Sequence, residues 1–152
     1  MRRRKTPRRK KGRKHVQSNK VSVDGINFAS GLEAYMYRAL KKEKLFDKYE
    51  GEKFELLEGF YSDNLCWERQ SNGKGEFRQR NVSKIRGITY TPDFTGEDYI
   101  IETKGRANES FPLRWKLFKS TLHKLEDKRR IYKPQTQKEC DEVVRLILES
   151  RQ

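Results

Sequence analysis

Two acidic residues and a lysine near the middle of the chain have the types and spacing of a catalytic centre. Glu102 and Lys104 lie two residues apart, so in a strand both side chains project from the same face. Asp93 lies nine residues before Glu102, on the other side of the turn-like segment 95–98. Two converging carboxylates can bind Mg²⁺ or Mn²⁺, which prefer oxygen ligands. A neighbouring lysine can orient an attacking water and offset charge on a phosphate.

The segments that contain these residues predict a β-hairpin. Residues 85–94 and 99–104 are rich in β-prone residues and flank the turn. If Phe94 lies opposite Tyr99, the two carboxylates share a face and lie diagonally, with backbones roughly 7–8 Å apart. This separation allows both carboxylates to reach one ion.

The surroundings of the carboxylates leave two interpretations open. Pro92 removes a ladder donor, which is typical of a strand end, and Glu102 follows the apolar pair Ile100 and Ile101. A carboxylate at the end of a buried strand is costly unless something compensates its charge. Alternatively, Glu102 and Lys104 form an ion pair of little energetic weight on an exposed strand.

The positive charge of the chain is concentrated at its N-terminus. The net charge is +14, and eleven of the 36 basic residues lie in the first 20 positions, which contain no acid. We therefore expect a disordered basic arm (residues 1–20) that binds nucleic acid. A solubilising tail, a nuclear-localisation-like run or a lipid-binding arm are the alternatives. The predicted nucleic-acid contacts are Arg2, Arg3, Arg4, Lys5, Arg8, Arg9, Lys10, Lys11, Arg13, Lys14 and, beside the candidate site, Arg106.

The remaining chain predicts one α/β domain, residues 21–152, with a polar loop or exposed hairpin inserted at about 62–86. Apolar residues at helical spacing, together with capping residues, predict three helices. Short β-prone runs predict additional strands. The helices are expected at 30–45, 110–126 and 136–149, and the additional strands at 21–28, 53–61 and 130–133.

Composition excludes several other classes of protein. The chain contains no apolar run near the roughly 20 residues that a transmembrane helix needs. The basic N-terminus is not followed by the apolar stretch of a secretory signal. Cys66 and Cys140 lie far apart and have no metal-binding spacing, so we expect a reduced intracellular compartment.

Three short blocks of sequence together resemble a known family. In chain order they are Ser30-Gly31-Leu32-Glu33, Tyr90-Thr91-Pro92-Asp93-Phe94 and Glu102-Thr103-Lys104-Gly105. The second and third blocks are similar to the motif of the PD-(D/E)XK nuclease superfamily. All three together look like the phage endonuclease I group of Holliday-junction resolvases, over about residues 28–126.

The resemblance implies a fold, a reaction and roles for individual residues. The fold would be a restriction-endonuclease-like core, with a mixed central β-sheet flanked by helices. The protein would be a metal-dependent DNA endonuclease of DNA recombination, acting as a homodimer in the cytoplasm of a bacterial or phage-infected host cell. Asp93, Glu102 and the Thr103 carbonyl would bind Mg²⁺ or Mn²⁺. Glu33 would complete the acidic cluster, and Lys104 would assist the attacking water.

Some alternatives stay open beside this resemblance. Ser30 and Glu33 also match a capping box, in which the glutamate serves the helix and not the metal. The insertion at 62–86 combines basic residues with Trp67 and Phe77, as in surfaces that bind nucleic acid, but a solvated loop fits equally well. The rival functions are a transposase- or restriction-type nuclease on linear duplex, and a non-enzymatic or genome-associated DNA-binding protein that retains a nuclease fold.

Overall fold

The computed structural model describes residues 19–70, 72–80, 83–105 and 108–152. The predicted contacts of the N-terminal arm, Arg2 to Lys14, and Arg106 therefore lie outside the described residues. Within the described residues the fold is mixed α/β, with three helices and several small sheets. None of these helices combines the length and the apolar character that crossing a bilayer requires.

The three helices lie where apolar periodicity predicts them. They are α1 (Gly31–Lys42), α2 (Phe111–Lys124) and α3 (Gln137–Ser150). Ser30 and Thr136 have extended backbones, and their side chains accept hydrogen bonds from the third residues of α1 and α3. These caps satisfy amide groups that have no partner inside the helix, so the first and last helices begin where local chemistry dictates.

Twelve short strands are described. In chain order they are β1 (Val21–Val23), β2 (Ile26–Phe28), β3 (Lys48–Tyr49), β4 (Phe54–Leu57), β5 (Phe60–Ser62), β6 (Cys66–Glu68), β7 (Arg78–Arg80), β8 (Ser83–Ile85), β9 (Ile88–Tyr90), β10 (Phe94–Thr95), β11 (Tyr99–Ile101) and β12 (Arg130–Tyr132). The central sheet has the order β12-β11-β10-β3, in which β12 runs parallel to β11 and the other pairs are antiparallel.

Helices cover both faces of this central sheet. Tyr99 and Ile101 belong to one core cluster with residues of α1 and α3, whereas Ile100 packs with Phe118 and Leu122 of α2. This division follows from the alternation of side chains along a strand. Strand β11 is therefore buried on both faces and lies at the centre of the domain.

The register of the central hairpin differs from the predicted one. Phe94 pairs with Ile101, so the prediction that it lies opposite Tyr99 was wrong by two residues. Gly96 donates to the carbonyl of Tyr99 at 3.0 Å and closes a tighter turn over Glu97 and Asp98. A Cβ on Gly96 would lie 2.4 Å from the Tyr99 ring, so the absence of a side chain permits this turn.

The insertion forms a two-stranded antiparallel ribbon, which agrees with the hairpin and not with the loop of the two predicted alternatives. Strand β4 pairs with β9, β5 with β8, and β6 with β7. Gly59 and Gly87 lie opposite each other between the first two pairs, and a Cβ on Gly87 would lie 2.7 Å from the Leu57 carbonyl oxygen. Beyond this glycine pair is the outer ribbon, defined as the described part of residues 60–85.

Phe118 is predicted to be critical for packing α2 against the sheet. Its side chain is fully buried and contacts the rings of Phe54 and Tyr90. Phe118→Ala should lower the free energy of unfolding by about 3–5 kcal/mol because it leaves a cavity. Leu113→Ala, on the same helix but 64% exposed, should change it by no more than about 0.5 kcal/mol. Urea unfolding followed by circular dichroism measures both, and equal losses would contradict this packing.

Candidate active site

The candidate site lies where the chain leaves the buried strand β11. Glu102 donates its backbone N–H to the Tyr132 carbonyl at 3.0 Å, and Lys104 donates to the Pro134 carbonyl at 2.9 Å. These bonds continue the parallel pairing with β12 beyond the end of the strand. Glu102 and Lys104 thus keep the same-side arrangement of a strand, with Nζ 3.7 Å from Oε1.

Asp93 is held beside this segment by Thr103. One carboxylate oxygen, Oδ2, accepts hydrogen bonds from the Thr103 backbone N–H at 2.6 Å and from its hydroxyl at 2.5 Å. The corrected register continues with Asp93 opposite Glu102, not diagonal to it. Both bonds use the same oxygen, so the second oxygen, Oδ1, is the one available for a further ligand.

Glu33 forms the capping box of α1. Its Oε2 accepts from the Ala29 backbone N–H at 2.9 Å and from the Tyr49 hydroxyl at 2.7 Å. Its Oε1 accepts from the Ser30 hydroxyl at 2.8 Å. The carboxylate is buried, and its negative charge also raises the pKa values of the Asp93 and Glu102 carboxyl groups. Glu33 therefore caps the helix. It also borders the acidic pair, which consists of Asp93 and Glu102.

Ionisation of the acidic pair is unfavourable in the folded protein, because its surroundings compensate negative charge only in part. Burial raises the pKa of Asp93, and the Glu102 charge raises it further. Burial also raises the pKa of Glu102, against the lowering effect of nearby Lys104. Within the described ranges, no three acidic, histidine or cysteine side chains group as a ready-made metal site. Two carboxylates fit Mg²⁺, which commonly takes one or two and keeps several waters.

A small open cleft of about 130 Å³ adjoins Glu102. The Phe111 ring lies beneath two ammonium groups, with Lys104 Nζ 4.8 Å and Lys133 Nζ 5.7 Å from its centroid. Arg114 lies over the Tyr90 ring and donates to the Thr89 carbonyl at 2.7 Å. The cleft therefore places cationic groups beside carboxylates, as phosphoryl chemistry requires. Its lining residues are Tyr90, Thr91, Glu102, Lys104, Asn108, Ser110, Phe111 and Arg114.

Tyr90 and Arg114 are site residues that the sequence analysis did not assign. Burial raises the pKa of Tyr90, and the adjacent Glu102 carboxylate raises it further through its charge and its contact with the Tyr90 hydroxyl. It stays protonated and can donate to a ligand in the cleft. The sequence signal that could have identified Tyr90 is its position in the 90–94 block, which also contains Asp93. Arg114 reaches the cleft only because α2 packs against β4 and β9.

The structure brings most of the predicted site residues together. Asp93, Glu102, Thr103 and Lys104 meet at the ends of β10 and β11, and Glu33 borders them. Arg106 and the basic arm are outside the described residues.

In the metal-free protein we expect Asp93→Asn to be stabilising at high pH. The folded state raises the pKa of Asp93 above its unfolded value near 4, so ionisation costs stability as the pH rises through the folded-state pKa. The amide oxygen of Asn can accept both Thr103 bonds. The variant should gain about 1–2 kcal/mol at about pH 9 and almost nothing at about pH 4.5.

Asp98→Asn serves as a control, because its effect on the free energy of unfolding should have the opposite sign. Arg151 lowers the pKa of Asp98, so removing its charge should destabilise the protein above about pH 4. Urea unfolding in the presence of a chelator measures both variants. A loss of stability in Asp93→Asn at high pH would show that the protein already compensates the Asp93 charge.

Comparison with known proteins identifies a family but no activity. A search of curated proteins and a search of solved structures returned no significant match. A family model described as "Protein of unknown function (DUF1064)" matches residues 13–138, which include the acidic pair, the cleft and the ribbon. The match covers most of the chain, and on this basis the protein belongs to the DUF1064 family.

Proposed function

We propose that this protein is a metal-dependent endodeoxyribonuclease that hydrolyses phosphodiester bonds in branched DNA. One observation carries the proposal: the half-buried Asp93 and the buried Glu102 form a pair of incompletely compensated carboxylates, and Glu102 lies beside Lys104 in a cleft with cationic side chains. Charged groups buried in this way are costly for folding and are typical of functional sites. The proposal includes a PD-(D/E)XK core of the restriction-endonuclease type.

The oxygen atoms at the site indicate which residues would bind the metal. Asp93 and Glu102 would hold Mg²⁺ or Mn²⁺, with the Thr103 carbonyl as a further ligand. When bound, the cation supplies Lewis-acid activation of water and neutralises charge on the phosphate. Thr103 holds Asp93 through its N–H and hydroxyl, so the carboxylate is already oriented before a cation binds.

The other side chains of the cleft act on the phosphate and the nucleophile. Lys104 lies 3.7 Å from Glu102 and can orient the attacking water or donate to the phosphate. Tyr90 contributes a neutral donor from the buried wall, since its raised pKa keeps it protonated. Arg114 and Lys133 lie at the exposed rim, where they can bind flanking phosphates.

DNA is the substrate that the charge of the chain favours. The net charge is +14, and the arm accounts for most of it. Phosphate contacts carry no base information, so we propose that the shape of a junction is what the domain recognises. Two symmetric cuts require two sites, which a homodimer provides. Such an enzyme would act in DNA recombination in the cytoplasm of a bacterial or phage-infected host cell.

The acidic pair is predicted to be needed for cutting and not for binding. Asp93→Asn and Glu102→Gln should each abolish Mg²⁺-dependent cleavage of a four-way junction while junction affinity stays within about threefold, because basic residues supply most of the contacts. Glu97→Gln is the matched control: it removes one carboxylate from the exposed turn of the same hairpin and should cut normally. Gel assays with and without Mg²⁺ measure cleavage, and undiminished cutting by either variant refutes the metal assignment.

The same assay separates the rival functions. Cleavage of linear duplex at a defined sequence would identify a restriction- or transposase-type nuclease. Junction binding with no cleavage in Mg²⁺ or Mn²⁺ would identify a non-enzymatic DNA-binding protein.

Lys104 is predicted to act in the chemical step. Lys104→Ala should lower the single-turnover rate by about 10²-fold, the usual scale for one charge-stabilising or proton-handling group. Lys104→Arg should recover much of the rate if charge alone matters, and little if a proton is transferred. Lys116→Ala, exposed on α2, controls for general loss of positive charge. A rate for Lys104→Ala within error of the native rate would leave Lys104 as a surface residue.

A further inference from the structure

The outer ribbon exposes an unusual share of the large apolar side chains. Among the described residues, six of the nine exposed large hydrophobic side chains belong to it. They are Phe60, Tyr61, Leu65, Trp67, Phe77 and Ile85. The ribbon consists of two-stranded sheets, and an isolated two-stranded hairpin is only marginally stable in water. Exposed apolar surface on such an element indicates a binding partner.

The register separates the ribbon into an aromatic and a basic face. Trp67 lies opposite Gln79, and its ring centroid is 6.3 Å from that of Phe77, so both rings lie on one face. Arg78 and Arg80 alternate with Gln79 and lie on the other face. Nearer the body, Lys84 lies opposite Tyr61, with Nζ 6.0 Å from its ring centroid.

The charge of the ribbon favours a polyanionic partner. Residues 60–85 contain five basic and three acidic residues. Arg80 lies opposite Cys66, so no cross-strand carboxylate neutralises it, whereas Arg78 lies opposite Glu68. Rings on one face and arginines on the other suit a nucleic-acid strand that crosses the edge of the ribbon, so that its bases meet the rings and its neighbouring phosphates meet the arginines.

The ribbon can reach the DNA that occupies the candidate active site. Strand β9 ends at Tyr90, which lines the cleft, and Phe77 lies thirteen residues earlier in the chain. Thirteen residues of chain span at most about 43 Å. This limit is comparable to the length of one turn of duplex, about 34 Å, so one branch is long enough to contact both the ribbon and the cleft.

We propose that the outer ribbon binds unpaired bases next to the cleavage site, with Trp67 and Phe77 stacking on them and the arginine face contacting the phosphates. This inference rests on the proposed function in taking DNA as the partner. It adds a specificity element: branched DNA, whose bases open at the branch point, would bind better than linear duplex. The arm and the cleft supply general affinity, and the ribbon supplies the preference for unpaired bases.

The test compares binding of two probes with metal chelated, so that no cutting occurs. The probes are a short single-stranded oligonucleotide and a blunt duplex of the same length, measured by fluorescence anisotropy at one salt concentration. The double variant Trp67→Ala/Phe77→Ala should lose at least about tenfold in affinity for the single strand. Its affinity for duplex should change less than about twofold, because its charge is unchanged. Leu125→Ala, 63% exposed at the end of α2, is the control and should bind both probes normally.

Conservative variants distinguish a loss of base stacking from a loss of folded structure. Trp67→Phe/Phe77→Tyr keeps both rings and should retain most of the single-strand affinity. Binding of the single strand should also quench tryptophan fluorescence, and this quenching should disappear in Trp67→Phe, which leaves only Trp115. Circular dichroism and urea unfolding of all variants check that the domain remains folded.

Three outcomes would overturn the inference. They are an unchanged single-strand affinity in the double alanine variant, an equal loss for both probes, and a change of oligomeric state on light scattering with DNA binding intact. The last result would identify the ribbon as a surface for a second copy of the chain. Because binding is measured without metal, a failure of cleavage would refute the nuclease proposal and leave the ribbon result standing.

Discussion

The burial of strand β11 on both faces is the constraint on which the site depends. Tyr99, Ile100 and Ile101 are at most 1% exposed, and Glu102 follows them without a break. Pairing with β12 continues through Glu102 and Lys104, so the chain cannot turn the carboxylate out into water. The domain therefore holds a buried carboxyl group at the edge of its core. Its ionisation costs stability, as the raised pKa of Glu102 shows, unless a cation or another group compensates the charge.

Hydrogen bonds hold the like charges together at this edge. Thr103 fixes Asp93 through two donors, and the capping box fixes Glu33 through its own helix. Asp93 and Glu33 are thus each positioned by hydrogen bonds from residues next to the ends of a strand or helix. Lys104 offsets part of the charge, which leaves the site electrostatically suited to a divalent ion and a phosphate.

Aromatic residues have different fates in the body and in the outer ribbon. In the body, Phe28, Tyr49 and Phe94 contact one another beneath α1, because helices cover both faces of the central sheet. In the ribbon, Trp67 and Phe77 contact each other but stay largely exposed. The same residue types therefore stabilise the interior in one place and remain exposed in the other, where we propose that they bind unpaired bases.

The sequence by itself determined the features that depend on neighbours along the chain. Helical periodicity and the capping pairs at Ser30 and Thr136 predicted the helices, because capping bonds join residues three or four apart. The same-side arrangement of Glu102 and Lys104 followed from the two-residue period of a strand. The predicted hairpin register was wrong by two residues, but a shift by an even number of residues leaves each side chain on the same face of the sheet. The predicted facing of Asp93 and Glu102 was therefore unaffected by this error.

Only the tertiary structure decided the features that depend on distant residues. Strand β3 has two residues and no pattern of its own, and it exists because β10 pairs with it. The tight turn depends on the Tyr99 ring crossing Gly96, and Arg114 reaches the cleft through the packing of α2. The pKa values of Asp93 and Glu102 are raised by burial and by the charge of Glu33, and that of Asp93 also by the charge of Glu102, which residue types alone do not report. The sequence shows which groups can carry charge, whereas tertiary packing determines whether water can solvate them.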